Sequence, residues 1–498
     1  MNPSGEVVLS ELVELVGGQN HGVVSATVTG VAIDSNKVEP GDLFVALPGH
    51  KSHGAHFVEH ALDQGAQAVV TDPEGFAICE SVCAQRVPVI VTKNPRKSVG
   101  KICARVYGQP TIPLIGITGT NGKTTTAFMV FEGIKASGRK AGMVGTLATF
   151  IGEKTLPSAR TTPEAPDIYR LLRDMHAAGV EVVVMEVSSI AIAEHRIGGL
   201  AFDVVGFTNL SHDHLDYHGT MDSYFTAKAE LFTDEYAKRA VINIADIWGK
   251  QLLKQTKISA QSLAVCRESK SSCVDQECDW CGEYRSDGKM KIHSYQGVSD
   301  TVSIQSPGIV NAENALLAIA LLANIGIQSD EVSGAIAGAS VPGRGELVAQ
   351  SNGVNVYVDY AHSPDAITTF LAGLAQRVDG SIITVVGAGG DRDQSKRETM
   401  GHAAAEYSSH VVVTDDNPRS EDPAVIREAV AAGARKQGGA VVESIAGRRN
   451  AIVRALEIAT EGDAIAILGK GHENTIEING IFEPFSDAAV ARELMSHV

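Results

Sequence analysis

The stretch Gly116-Ile-Thr-Gly-Thr-Asn-Gly-Lys-Thr-Thr125 has the residue types and spacing of a phosphate-binding loop. Glycines free the backbone to wrap phosphates, a helix N-terminus offers unpaired N–H groups, Lys123 adds a point charge, and Thr124 supplies a hydroxyl suited to magnesium. An apolar run precedes the loop and a helical segment, Thr126 to Ala136, follows it, which is the context such a loop requires. The commoner nucleotide loop has glycine where this chain has Ile117. Val182-Val-Val-Met-Glu186 reads as a buried strand ending in a carboxylate, an arrangement that holds magnesium beside a phosphate loop. The plainer alternative is an acid at a strand end.

Ser211-His-Asp-His-Leu-Asp-Tyr-His218 concentrates histidines and aspartates in one loop. Read alone it is compatible with a metal site, although magnesium prefers oxygen and histidine would point to zinc or manganese. A solvated polar loop accounts for it equally well. Lys228 lies in an expected helix, Met221 to Phe232, with Tyr224, Phe225, Leu231 and Phe232 at helical spacing around it. A lysine on an apolar face must snorkel, lose its proton or be covalently changed, because an unpaired buried ammonium is costly. Snorkelling is the commonest of the three.

Alternating strands and helices must position these residues. Leu114 to Thr118, Lys140 to Val144, Val182 to Val187, Val204 to Asn209 and Ala240 to Asn243 predict a largely parallel sheet covered on both faces. Ahead of them, the short strands Gly30 to Ile33, Asp42 to Ala46, Ala68 to Thr71 and Pro88 to Val91, with helices such as His56 to Gln64, predict a small α/β domain. It ends where Tyr107-Gly-Gln-Pro-Thr-Ile-Pro113 interrupts regular structure. A second break, Val341-Pro-Gly-Arg-Gly345, follows a helix from Asn311 to Asn324. Beyond it come the strands Asn355 to Val358, Ser381 to Val386, His410 to Thr414 and Asp463 to Leu468. Three of them end in polar loops, Gly387 to Asp393, Asp415 to Glu421 and Gly469 to Asn474, where an open α/β sheet binds ligands. The expected organisation is α/β in three domains: a small N-terminal domain over 1–112, a central phosphate-loop parallel-sheet domain over 113–342, and a C-terminal Rossmann-like domain over 343–498.

Composition bounds the function. A chain of 498 residues suits three domains at about 150 residues each. The formal net charge of -17 argues against general affinity for nucleic acid or anionic membranes. The acidic N-terminus has no signal pattern and no apolar run is long enough to span a bilayer, so a cytoplasmic protein with no stable membrane association is expected. An odd count of 7 cysteines excludes a disulfide framework. Cys278 and Cys281 have the gap of a zinc pair, but the spacings to Cys266 and Cys273 are irregular, which favours free cysteines in a surface excursion. Cys79 and Cys83 also read as exposed.

Together these residues resemble the Mur ligase family, the ATP-dependent amide-forming ligases of peptidoglycan synthesis, over essentially the whole chain. Gly119-Thr-Asn-Gly-Lys-Thr-Thr125, Met185-Glu-Val-Ser-Ser189, His212-Asp-His-Leu-Asp216, Asn311-Ala-Glu-Asn314, Gly343-Arg344 and Asp359-Tyr-Ala-His362 carry the resemblance in the family's order. It implies ATP contacts at Gly119, Thr120, Asn121, Gly122, Lys123, Thr124, Thr125, Asn311, Arg344 and Asp359. It also implies that Lys228 is carbamylated and joins Thr124, Glu186 and His214 around two magnesium ions. Ile33, Ser35, His50, Lys51 and Ser52 match positions that hold the UDP-sugar, and Thr161, Thr162, Ser188, Glu194 and Arg196 match those nearer the reacting end. Two places depart from the pattern: Ser188-Ser-Ile-Ala-Ile192 lacks a histidine common in relatives, and Glu194 stands where relatives commonly have glutamine.

Asp416-Asn-Pro-Arg419 resembles the signature of members that add meso-diaminopimelate to UDP-N-acetylmuramoyl-L-alanyl-D-glutamate. Diaminopimelate carries a carboxylate where lysine has none, and a guanidinium grips that group bidentately. The resemblance extends the amino-acid contacts to Arg392, Asp416, Asn417, Pro418, Gly469 and Glu473. The implied reaction passes the γ-phosphoryl group of ATP to the D-glutamate side chain, and the amine then displaces phosphate from the acyl phosphate. Lys123, Arg344 and magnesium would spread the transferring charge. A monomer is expected. The alternatives are a lysine-adding relative, a folylpolyglutamate-type ligase, or a nucleotide-switched binding module.

Overall fold

The computed structural model describes residues 6–23, 25–49, 51–267, 278–294 and 299–496. It forms two compact units, Met1–Gln261 with Leu321–Ile327, and Ser262–Ala320 with Gln328–Val498.

In the first unit, a sheet runs in the order Lys154–Leu156, Thr149–Ile151, Ala141–Val144, Val182–Glu186, Leu114–Thr118, Val204–Phe207 and Arg239–Asn243. The pairs from Ala141–Val144 to Arg239–Asn243 are parallel, and the hairpin at the other edge is antiparallel. Leu114–Thr118 and Val182–Glu186 are buried at every position, which is why they read as continuous apolar runs. From Leu114–Thr118 the chain first builds outward on one side and later places Val204–Phe207 on the other. Such a reversal opens a crevice at the carboxyl ends of the strands. The phosphate loop, Glu186 and the segment after Phe207 all leave from that end.

A separate five-stranded sheet has the order Gln19–His21, Val89–Val91, Ala68–Thr71, Asp42–Val45 and Gly30–Ala32, with only Gln19–His21 antiparallel. One apolar core runs from Val31 and Ile102 through Tyr169 and Leu200 to Val205, so these segments of the first unit fold against a shared interior. A salt bridge of 2.7 Å between Arg170 and the buried Asp42 lies at this junction. Burial holds the Asp42 carboxyl above its ordinary range even with Arg170 beside it.

The second unit is built on a six-stranded sheet ordered Glu346–Ser351, Val354–Asp359, Ala464–Leu468, Ile382–Val386, His410–Val413 and Val441–Ser444. Every pair but the first is parallel, as the sequence pattern predicts. The carboxyl ends of Ala464–Leu468, Ile382–Val386 and His410–Val413 are therefore adjacent, and their three polar loops meet. The hairpin Thr475–Ile478 with Ile481–Pro484 follows the last loop.

The cysteine expectations need correction. Cys79 and Cys83 are buried in the helix Pro73–Cys83, Cys281 is buried on the strand Trp280–Tyr284, and Cys266 is disulfide-bonded rather than free. The Cys278 and Cys281 sulfurs stand 2.8 Å apart, and Cys273 lies outside the described residues. Among the described residues no helix is long and apolar enough to cross a membrane.

Two helices of the second unit, Lys396–Glu406 and Pro423–Gln437, approach through reciprocal glycines. A Cβ on Gly401 would stand 1.9 Å from the Val430 carbonyl oxygen, and one on Gly433 would stand 1.8 Å from that of Glu398. Helix propensity favours alanine over glycine by about 1 kcal/mol, but backbone cannot yield as a side chain does. Gly433→Ala is therefore expected to destabilise the unit by about 1–3 kcal/mol. Denaturant unfolding measures this, and a stabilised variant would contradict the packing account.

Candidate active site

The phosphate loop is stapled to the strand beside it. Thr120 N donates to the Asn209 carbonyl at 2.9 Å, Asn121 N donates to Asn209 Oδ1 at 3.1 Å, and Thr208 Oγ1 donates to the Asn121 carbonyl at 2.6 Å. Gly119 has no room for a side chain, since a Cβ would meet Thr208 Oγ1 at 1.8 Å. Gly122 adopts φ 83° and caps the helix Lys123–Ala136, which starts at the loop lysine rather than at Thr126. Thr124 and Thr125 are buried in its first turn, where free N–H groups and the helix dipole favour phosphate.

Lys228 does not snorkel. It is 1 % exposed on the helix Met221–Ala229, which gives way to a 3-10 turn over Glu230–Phe232. Its Nζ donates to the Gly119 carbonyl at 2.8 Å and lies 4.6 Å from the centre of the Tyr224 ring. The same carbonyl accepts from Lys123 Nζ at 2.9 Å, and Lys123 also donates to the Thr120 carbonyl at 2.8 Å. Burial, reinforced by the Lys123 charge, drives the Lys228 pKa well below its ordinary value. Burial and the neighbouring lysine thus both favour the uncharged form of this amine.

Tyr224, which the sequence offered only as an apolar neighbour, organises this corner. Its hydroxyl lies 3.2 Å from Thr120 Oγ1, and its ring contacts those of His214 and His218. His218 Nε2 is 2.9 Å from Ser189 Oγ, and burial followed by the Lys228 charge lowers its pKa. His214 itself is half-exposed with φ 51° and lies 3.5 Å from Asp213.

Glu186 is completely buried. It accepts from Thr124 Oγ1 at 2.9 Å, Thr146 Oγ1 at 3.1 Å and Thr146 N at 2.7 Å. Its carboxylate and the Thr124 hydroxyl are the hard oxygen donors that magnesium requires. Among the described residues no group of three or more His, Cys, Asp and Glu side chains converges as a metal site.

Beyond Glu186 lies the predicted contact set for the reacting end. Thr162 Oγ1 donates to the Glu186 carbonyl at 2.9 Å and accepts from Ser188 N at 3.0 Å, while Thr161 Oγ1 lies 3.0 Å from Thr146 Oγ1. Glu164, which the sequence reading missed, receives three guanidinium groups: Arg96 at 2.7 Å, Arg160 at 3.0 Å and Arg196 at 3.0 Å. The unusual Glu194 is accommodated by the Tyr217 hydroxyl at 2.7 Å and by Arg96 at 3.7 Å. A cleft of about 450 Å³ adjoins this cluster, lined among others by Ile33, Lys37, Arg96, Arg160 and Arg170. Ser35 is buried in the turn following Asp34, Lys51 and Ser52 are exposed, and His50 lies outside the described residues.

In the second unit, Gly343 and Gly345, both at positive φ, present Arg344 with its guanidinium 4.2 Å from the centre of the Tyr360 ring. Burial pushes Asp359 up to about 6 and His472 down to about 4, the latter with help from Arg344. Asn311 Nδ2 donates to the Pro307 carbonyl at 2.7 Å.

The three strand-end loops interlock. Gly390 N donates to the Asn417 carbonyl at 2.9 Å, Asp416 Oδ2 lies where a Cβ on Gly469 would be 2.8 Å away, and Asn417 Nδ2 donates to Glu473 Oε2 at 2.9 Å. Lys470, unread in the sequence, is fully buried and donates to Asn417 Oδ1 at 3.0 Å and Glu473 Oε2 at 2.9 Å. Pro418 is buried against this corner, Arg419 is partly buried, and Arg392 is exposed.

Lys228→Met removes the buried amine while keeping an unbranched chain. In magnesium-free, CO2-depleted buffer at neutral pH the variant is expected to melt about 2–4 °C higher, the shift that about 1 kcal/mol produces in a unit of this size. Because the folded Lys228 pKa is depressed, the unfolded state binds more protons below the free-lysine value of 10.5, so wild-type stability rises with pH toward that value. The advantage of the variant accordingly shrinks with pH. Thermal scans across this range check both, and a lower melting point for the variant would oppose the burial argument.

Comparison with known proteins accords with this geometry. Three family models match in order: Mur ligase family, catalytic domain, over residues 27–107; Mur ligase middle domain over 117–322; and Mur ligase, glutamate ligase domain, over 343–471. The chain is 39% identical over 470 residues, 94% of each chain, to the UDP-N-acetylmuramoyl-L-alanyl-D-glutamate--2,6-diaminopimelate ligase of Aquifex aeolicus. It is 38% identical to the Streptomyces coelicolor ligase of the same name, over 94% of this chain and 92% of that one. A solved structure of a ligase of that name superposes with a TM-score of 0.68 at 30% identity, covering 99% of both chains. On these matches the chain belongs to the Mur ligase family of ATP-dependent peptide ligases.

Proposed function

We propose that this ligase adds meso-diaminopimelate to the D-glutamate of UDP-N-acetylmuramoyl-L-alanyl-D-glutamate in the cytoplasm, with ATP as co-substrate. The observation that carries the reading is the loop cluster in the second unit. Arg419 offers a guanidinium and Glu473 a carboxylate from interlocked loops, a pair matched to a side chain ending in both a carboxylate and an ammonium. Lysine would satisfy only the Glu473 carboxylate and bring no anion to the outer edge of the Arg419 guanidinium. The names of the relatives point the same way.

The remaining residues have roles that follow from their surroundings. The phosphate loop and Lys123 hold the nucleotide's phosphates at a helix N-terminus, and Arg96, Arg160 and Arg196, only partly neutralised by Glu164, favour an anionic substrate in the adjoining cleft. Magnesium held by Thr124 and Glu186 would neutralise phosphate charge. Burial favours the uncharged Lys228 amine, the form that adds to CO2, forming an N–C bond and releasing one proton, and the resulting carbamate would offer magnesium oxygen in place of nitrogen. Phosphoryl transfer to the D-glutamate carboxylate makes it an electrophile, and the diaminopimelate amine then displaces phosphate.

Phosphate release with the UDP-muramoyl dipeptide and each amino acid tests the reading. Arg419→Ala is expected to lower kcat/KM for diaminopimelate about ten- to a hundredfold with little change for lysine, the loss of a charge-assisted hydrogen-bonded pair. Equal losses for the two amino acids would overturn the selectivity. Lys228→Ala is expected to lose turnover roughly a hundredfold or more and to recover part of it with formate or acetate. Full turnover without rescue would remove Lys228 from the mechanism.

A further inference from the structure

The side chain of Arg419 is already gripped by the protein. Its Nε donates to Glu477 Oε2 at 3.1 Å, and its Nη1 donates to the Gly390 carbonyl at 2.7 Å. Nη2 takes no acceptor among the described residues. The backbone of Arg419 is held as well, at φ 52°, a conformation uncommon for a residue with a side chain. Two hydrogen bonds sustain it: Arg419 N to the Glu477 carbonyl at 3.1 Å, and Asn479 N to the Arg419 carbonyl at 2.8 Å. Glu477 thus meets Arg419 through both backbone and side chain, from the strand Thr475–Ile478 of the terminal hairpin.

We infer that Glu477 is a positioning and specificity-determining residue, fixing the Arg419 guanidinium so that its Nη edge faces the distal carboxylate of the incoming amino acid. The inference rests on the diaminopimelate reading of Arg419 given above. An arginine free to rotate loses side-chain entropy on each binding event, whereas one pinned at Nε has already lost it. Pinning through Nε also leaves a terminal Nη group for a second anion. Both side chains are about three-quarters covered, at 21% and 26% exposure, so the pair is neither a fully solvated surface contact nor a dry buried one. A purely structural ion pair at this depth is worth little, and its loss would not discriminate between amino-acid substrates.

The test compares Glu477→Ala, Glu477→Gln and Arg419→Ala in the full-length enzyme, with diaminopimelate and lysine as substrates. Glu477→Ala removes the acceptor but keeps the backbone bridge. It is expected to raise KM for diaminopimelate about tenfold, leaving KM for ATP and the UDP-muramoyl dipeptide unchanged and lowering the preference over lysine. Glu477→Gln keeps an amide oxygen to accept from Nε and is expected to restore most of that loss. If Arg419→Ala alters selectivity but Glu477→Ala does not, this inference fails and the reading of Arg419 survives. If Arg419→Ala weakens both amino acids equally, the reading of Arg419 itself fails. A Glu477→Ala enzyme impaired equally toward every substrate, or one that glutamine does not rescue, would show a structural role and overturn the inference.

Discussion

One backbone carbonyl, that of Gly119, accepts hydrogen bonds from two lysines, and the first unit is arranged around that constraint. Two ammonium groups on one acceptor repel each other, and burial adds to that repulsion in lowering the Lys228 pKa. Lys123 sits partly buried at a helix N-terminus, whereas Lys228 is sealed beneath Tyr224 and, among the described residues, has no carboxylate hydrogen-bonded to it. Burying that amine carries a stability cost and leaves it less basic than an exposed lysine.

Charge is handled differently elsewhere. Around Glu164 three guanidiniums share one carboxylate, which leaves local positive charge in a chain whose net charge is -17. In the second unit three cations have carboxylates of their own: Arg419 pairs with Glu477, Lys470 with Glu473, and the buried Arg448 with Asp487 at 2.7 Å. Such pairing costs desolvation, but it fixes the geometry of loops that otherwise depend on glycines and short turns. The helices that follow two of those loops approach closely at Gly401 and Gly433.

Much of this was legible along the chain. The strands Leu114–Thr118 and Ala68–Thr71 fall where the apolar runs begin and end, because strands buried on both faces leave an uninterrupted signature. Edge strands were illegible for the converse reason. Lys154–Leu156, Val441–Ser444 and Thr475–Ile478 have no fully buried position and Glu346–Ser351 has one, so they leave no apolar run to read. The helix after the phosphate loop began earlier than expected because Gly122 in a left-handed conformation serves as its cap, a property of backbone angles rather than of hydrophobic pattern.

The sequence by itself determined the chemistry that depends on neighbours along the chain: a phosphate loop between strand and helix, a carboxylate at a strand end, and polar loops after parallel strands. Such motifs need only local spacing, and spacing is written in the order of residues. Only the tertiary structure decided which distant groups meet. Arg96 reaches Glu164 across 68 positions, Asn417 reaches Glu473 across 56, and Glu477 reaches Arg419 across 58. Sheet order and loop packing set those encounters, and they also decided that Lys228 is buried instead of snorkelling, since its burial depends on a carbonyl 109 residues away.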